Sequence, residues 1–207
     1  MIPRFWDPQE GIVSIGGVPV TEITKKDLMN RIAFVFQDTK LLKVSILENM
    51  RAARPDATKE QVLNALHNAQ CDDIIEKFPQ GVDTILGTKG IYLSGGEQQR
   101  LALARAILKD APIILLDEAT AFADPENEYK IQLAFEHLTR GKTVLMIAHR
   151  LPTIQNADEI LVLNKGTVVE RGTHNALMAQ GGIYATMWKD YQTSIAWNIG
   201  KGEYHAS

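Results

Sequence analysis

Short apolar runs rich in β-branched residues alternate along this chain with segments whose apolar positions recur every three or four residues. The first pattern predicts strands and the second amphipathic helices. Strands are expected at residues 11–15, 32–36, 113–116, 143–147, 159–163 and 167–170. Helices are expected at 25–30, 45–53, 58–69, 72–77, 95–109, 125–139, 175–180 and 183–197. Several strand runs are apolar throughout, which predicts burial on both faces of a parallel sheet. The stretch from 44 to 110 carries helices and loops but no convincing strand, so it interrupts the α/β alternation. The expected fold class is therefore α/β: a mostly parallel sheet built from 1–43 and 111–207, closed by a C-terminal helix, with a helical subdomain inserted at 44–110.

Bulk properties narrow the class without deciding it. A chain of 207 residues with 45% apolar and 23% charged residues is long enough for one ordinary domain. A net charge of −3 gives no electrostatic case for nucleic acid as the partner. The longest apolar runs, such as 113–116, are far too short to cross a bilayer, and Met1-Ile2-Pro3-Arg4-Phe5-Trp6 does not resemble a signal peptide. The single cysteine, Cys71, excludes an intrachain disulfide and fits a reducing compartment.

The most informative string is Leu93-Ser94-Gly95-Gly96-Glu97-Gln98-Gln99-Arg100. Ser94 followed three residues later by Glu97 predicts a capping box at the start of a helix. Gly95 and Gly96 lack side chains, so a ligand can approach their N–H groups closely. A helix N-terminus carries unpaired donors and partial positive charge, which suits a phosphate. Leu101, Ala104 and Leu108 then recur at helical spacing and predict a buried stripe.

Three predicted strands run into residues able to handle a nucleotide. Residues 113–116 lead to Asp117 and Glu118, residues 32–36 lead to Gln37, and residues 143–148 lead to His149. Open α/β sheets bind ligands beyond the carboxyl ends of their strands. Asp117 is suited to a magnesium shell. Glu118 can accept a proton from an attacking water. Gln37 can orient that water or complete the metal shell, and His149 can donate to a terminal phosphate. Asp124-Pro125-Glu126 is a good helix start in its own right, with Asp at the cap and Pro at the first helical position.

Taken together these strings resemble the nucleotide-binding domain of ABC transporters of the exporter type, across essentially the whole chain. Residues 93–100 resemble the signature motif, and Ile113 to Asp117 resemble Walker B with Glu118 as the catalytic base. Gln37 is similar to the Q-loop glutamine, Asp124 to the D-loop aspartate and His149 to the switch histidine. Arg4-Phe5-Trp6-Asp7-Pro8 is similar to the stretch that follows the P-loop helix in exporters, and residues 166–174 to a strand and turn near their C-terminal end. The resemblance implies a P-loop NTPase-like fold that binds ATP and Mg2+ and drives transmembrane transport. It implies a head-to-tail dimer in which Ser94, Gly95, Gly96 and Gln98 contact a nucleotide held mainly by the partner domain. It also implies a transmembrane domain, on the same or a separate chain, and a place at the cytoplasmic face of the membrane.

The resemblance has departures. No Gly-x-x-x-x-Gly-Lys-Ser/Thr string occurs in the 207 residues. The sequence is thus expected to be an N-terminally truncated domain, without its first strands and Walker A loop and inactive as an ATPase by itself. The alternative is a non-catalytic binding module that supplies the signature turn to a partner's ATP. The D-loop reads Ala121-Phe122-Ala123-Asp124 where Ser-Ala-Leu-Asp is common, and Gly87-Thr88-Lys89-Gly90 stands where exporters often carry Gly-Glu-Arg-Gly. The missing strand is expected to leave unpaired strand edges and exposed apolar surface.

Overall fold

The computed structural model describes residues 1–36, 40–88, 91–117, 125–148 and 151–202. The chain forms two compact units, Met1–Ile147 and Ala148–Ser207.

The first unit opens with a small hairpin of β1 (Ser14–Ile15) and β2 (Val18–Pro19). Its turn is Gly16-Gly17, with φ of 58° and 81°, the pair of positive angles that a tight two-residue hairpin turn requires. The strand expected at 11–15 is thereby reduced to two residues, and its hairpin partner carries too little periodicity to read from sequence. Helix α1 (Lys25–Arg31) starts at Thr24, whose hydroxyl accepts the Asp27 N–H at 3.1 Å. It feeds directly into β3 (Ile32–Val35).

From β3 the chain enters a run of helices: α2 (Ile46–Arg51), α3 (Lys59–Asn68), α4 (Asp72–Glu76), a 3-10 turn (Gly81–Asp83) and α5 (Gly95–Lys109). It then returns to the sheet as β4 (Ile113–Asp117). Helix α6 (Pro125–Thr139) crosses to β5 (Thr143–Ile147). The sheet has the order β3-β4-β5 and is parallel throughout. Ile32 pairs with Ile113 and Ile113 with Thr143, while Asp117 lies opposite Ile147.

The sheet is covered unequally. Ala33, Val35, Ile114, Leu116, Val144 and Met146 share one face and pack into a core with α5 and α6, including Leu101, Ala104, Ile131, Ala134 and Leu138. On the other face Ile32, Phe34, Ile113 and Leu115 join a smaller cluster with Val20 and Leu28 from the hairpin and α1. That cluster stops short of Phe36, Leu145 and Ile147, which are 52%, 47% and 58% exposed. Strand β3 is buried on both faces as its composition suggests, whereas β5 is exposed along one of them. The first face is sealed by two long helices. Within the first unit, and among the described residues, the hairpin and α1 cover the second face at β3 and β4, and Phe36, Leu145 and Ile147 stay exposed.

The second unit begins with a 3-10 turn (Leu151–Ile154). An antiparallel pair follows, β6 (Ile160–Asn164) and β7 (Thr167–Gly172), joined through Lys165 and Gly166 at positive φ. Helices α7 (His174–Gln180) and α8 (Ile183–Gly202) complete it. Leu177, Tyr184 and Trp188 pack on Ile160 and Val162. The buried Glu170 carboxylate accepts the backbone N–H groups of Ile183 and Tyr184, and so caps the positive end of α8. Among the described residues no helix is long and apolar enough to cross a membrane.

Candidate functional site

The capping box foreseen at residue 94 is present in full. Ser94 Oγ accepts the Glu97 N–H at 3.2 Å, and Glu97 Oε2 accepts the Ser94 N–H at 2.7 Å. Two of the donors at this helix start are thus consumed internally. The N–H groups of Gly95 and Gly96 precede the first intrahelical bond, so no helix carbonyl accepts from them. Lys77, from the loop after α4, donates to both Glu97 carboxylate oxygens at 3.2 and 3.4 Å and to the Tyr92 carbonyl at 3.2 Å. The approach to the turn is thereby tied down on its outer side. Gln98 turns its carboxamide back to donate to the Leu93 carbonyl at 3.0 Å, and Leu93 is buried beneath. Gly95 is exposed whereas Gly96 is buried.

The in-register parallel pairing sets the carboxyl ends of β3, β4 and β5 side by side. Asp117, the last residue of β4, is exposed at that edge. Its carboxylate is a hard oxygen donor, the kind Mg2+ prefers, and the N–H groups of a helix start such as the signature turn suit phosphate oxygens. Gln37, Glu118, Asp124 and His149 lie outside the described residues. What the structure places is the strand ends, or for Asp124 the helix start, next to which they stand in sequence. Among the described residues no group of three or more His, Cys, Asp or Glu is arranged to hold a metal ion.

Sequence reasoning missed the groups that brace these segments. Asn49 on α2 is fully buried. It accepts the Leu42 N–H at 2.8 Å and donates to the carbonyls of Leu42, Val44 and Ser45 at 3.0, 3.3 and 3.0 Å, stapling the loop that follows residues 37–39. Arg105 on α5 donates to the Lys40 carbonyl at 3.1 Å, and burial lowers its pKa. Arg100, one turn beyond the signature glycines, has a side chain only 2% exposed. It makes a bidentate pair with Asp73 of α4 at 2.6 and 3.1 Å and also donates to the Gln70 carbonyl. Lys130 of α6 reaches the same Asp73 carboxylate at 3.0 Å and Glu126 at 2.8 Å. The available signal was a charged residue set into the apolar stripe of α5 at position 100, which calls for a buried partner.

Comparison with known proteins identifies the family. The sequence model of the family described as ABC transporter matches residues 1–121. The chain belongs to the ABC transporter family. Members of this family bind ATP, typically with Mg2+, and are generally ATPases. The mycobactin import ATP-binding/permease protein of Mycobacterium tuberculosis is 48% identical over 194 residues, which is 94% of this chain and 22% of that protein. The ATP-dependent lipid A-core flippase of Chromohalobacter salexigens is 46% identical over 187 residues, 90% of this chain and 32% of that protein. Among solved structures, a bacterial Atm1-family ABC exporter with ATP bound matches with a TM-score of 0.83 and 39% identity, over 91% of this chain and 33% of that one. The α/β, P-loop NTPase-like fold expected from the sequence is that of this transporter family. The chain spans between about a fifth and a third of the length of these relatives.

Proposed function

We propose that this chain is the ATP-binding domain of an exporter-type ABC transporter and that it couples ATP hydrolysis to movement of a solute across a membrane. Two half-sites on one chain divide the work. Gln37, Asp117, Glu118 and His149, at or just past the ends of β3, β4 and β5, form the hydrolytic half. Asp117 and Gln37 hold Mg2+, which neutralises phosphate charge. Glu118 takes the proton of the attacking water, Gln37 orients that water, and His149 donates to the terminal phosphate. Ser94, Gly95, Gly96 and Gln98, with Asp124, form the other half, which closes on the ATP of a second nucleotide-binding domain set head to tail. The observation that supports this reading is the complete capping box at Ser94, which fixes a helix start whose Gly95 and Gly96 N–H groups have no helix carbonyl to bond.

A transmembrane domain completes the machine and places this domain at the cytoplasmic face of the membrane. The relatives' names point in more than one direction, an importer and a flippase. Direction and cargo are accordingly assigned to the membrane part, and the engine is common to both.

Because the 207 residues contain no Walker A string, the purified chain alone is expected to show no Mg2+-dependent ATP hydrolysis. Robust turnover that Glu118→Gln abolishes would overturn that expectation. When a full-length partner of the family is added, Ser94→Arg is expected to block any activity gained, because bulk there obstructs the partner's phosphate. An undiminished rate removes the trans half-site.

A further inference from the structure

The two signature glycines have different surroundings. Gly95 is exposed, whereas Gly96 is buried. Gly96 lies inside α5, and nothing in its backbone calls for glycine, since it is not among the residues at positive φ. At such a helical position alanine is ordinarily the more stabilising residue. The obstacle is a neighbouring side chain. A Cβ at position 96 would lie 2.8 Å from Asn127 Cγ, 2.9 Å from Asn127 Cβ and 3.1 Å from Asn127 Oδ1.

Asn127 is in the first turn of α6, the helix that starts directly after Asp124. A new side chain at 96 could displace the Asn127 carboxamide by rotation, but the Asn127 Cβ is fixed to its backbone. Nor can α6 back away. One turn further along both helices, Arg100 of α5 and Lys130 of α6 converge on Asp73, and the Arg100 side chain is buried. The ion cluster holds the two helices at the spacing that Gly96 and Asn127 fill.

We propose that Asn127 is the positioning residue of the signature turn: its side chain occupies the space behind Gly96, and with the Asp73 cluster it sets where the Gly95 and Gly96 N–H groups point. The signature turn and the start of α6 after Asp124, two segments assigned to the partner-facing half-site, then move as one body. This role rests on the function proposed above, whereas the packing contact beneath it does not.

Two measurements on one set of variants separate them: Gly96→Ala, Asn127→Gly, Asn127→Ala and the two doubles. The first is ATP turnover by the transporter that carries this chain. Gly96→Ala is expected to lower kcat about tenfold with KM for ATP changed less than about threefold, because the lost interaction is made only on closure over bound nucleotide. Adding Asn127→Gly restores kcat to within about threefold of the Asn127→Gly parent. Adding Asn127→Ala does not, because the obstructing Cβ stays. The second is the urea midpoint of the 207-residue chain, in which Gly96→Ala and Asn127→Gly are expected to be strongly non-additive.

An additive urea cycle, or rescue by alanine equal to rescue by glycine, overturns the contact. A non-additive cycle without recovery of kcat overturns the positioning role, because Gly96 then acts at the phosphate directly. If the unsubstituted transporter hydrolyses no ATP, the function proposed above fails and the positioning role with it, and the urea cycle still decides the contact.

Discussion

Replacing Asp73 by Asn tests the cluster that ties α4, α5 and α6 together. Partial burial alone would raise the pKa of this carboxyl, but the hydrogen bonds from Arg100 and Lys130 overcome that and bring it from 3.8 to about 2. That fall is nominally worth about 2.5 kcal/mol in favour of the folded chain. The Asp73 side chain is 45% exposed, so solvent screening reduces the figure to about 1 kcal/mol. The larger cost falls on Arg100. Its side chain is 2% exposed and its Nε is buried without a partner, so it keeps only the Gln70 carbonyl and whatever the new amide oxygen can accept. Removing one member of a buried pair costs about 3–5 kcal/mol when nothing replaces it. With the amide as a partial substitute, Asp73→Asn is expected to destabilise by about 2–3 kcal/mol at pH 7.

The pH dependence gives a second readout. The folded pKa of Asp73 is depressed, so its contribution is complete above the unfolded value and is lost as pH falls from about 4 toward about 2. Asn does not titrate, so the gap between the two proteins should narrow with acid. About half of the titratable part should be gone by pH 3. Urea unfolding at pH 7, 5, 4 and 3 reads both numbers. A gap below about 0.5 kcal/mol at pH 7, or one that stays constant down to pH 3, would refute the cluster as a structural brace.

Other perturbations bear on separate parts of the molecule. Asn49→Ala strands the Leu42 amide and carbonyl, while the Val44 and Ser45 carbonyls keep the backbone donors of Leu86 and residue 49, and should cost about 2–3 kcal/mol by urea unfolding. A cost under about 1 kcal/mol would mean that the loop has no need of the staple. Cys71 is fully buried and burial pushes its pKa up to about 12, so thiol-reagent labelling at pH 8 should be at least about 100-fold slower in the folded chain than in urea. Equal rates would contradict its burial.

The reach of sequence reading differed by element for physical reasons. Helix α5 was legible to its ends because local signals agree: a capping box at Ser94, an apolar stripe, and Lys109 in the last turn. Strand β5 was likewise found at 143–147, from a β-rich run with a glycine just before it. The β1–β2 hairpin was only half seen, because two-residue strands carry no period. Burial on both faces held for β3 and failed for β5, because composition reports how apolar a strand is, whereas coverage depends on which elements lie over each face. Of the candidate site, Ser94 and Asp117 were found from local pattern, and the structure puts them at a capped helix start and an exposed strand end. The braces were invisible because their partners are far apart in sequence, Arg100 with Asp73 and Gly96 with Asn127, and no local period links them.

The parallel pairing of β3 with β4 has a kinetic consequence. Ile32 must find Ile113 across the whole helical insertion before the sheet exists. Closing so long a loop costs entropy that the first strand contacts cannot return at once, and such topologies fold slowly. If α2 to α5 collapse first around Ile46, Met50, Leu66 and Leu101, they draw the two strand ends together and shorten the search. In that order of events the insertion is the part of the chain that lets the sheet form in time. Substitutions that weaken its core should then slow refolding more than they speed unfolding, although they lie far from any strand.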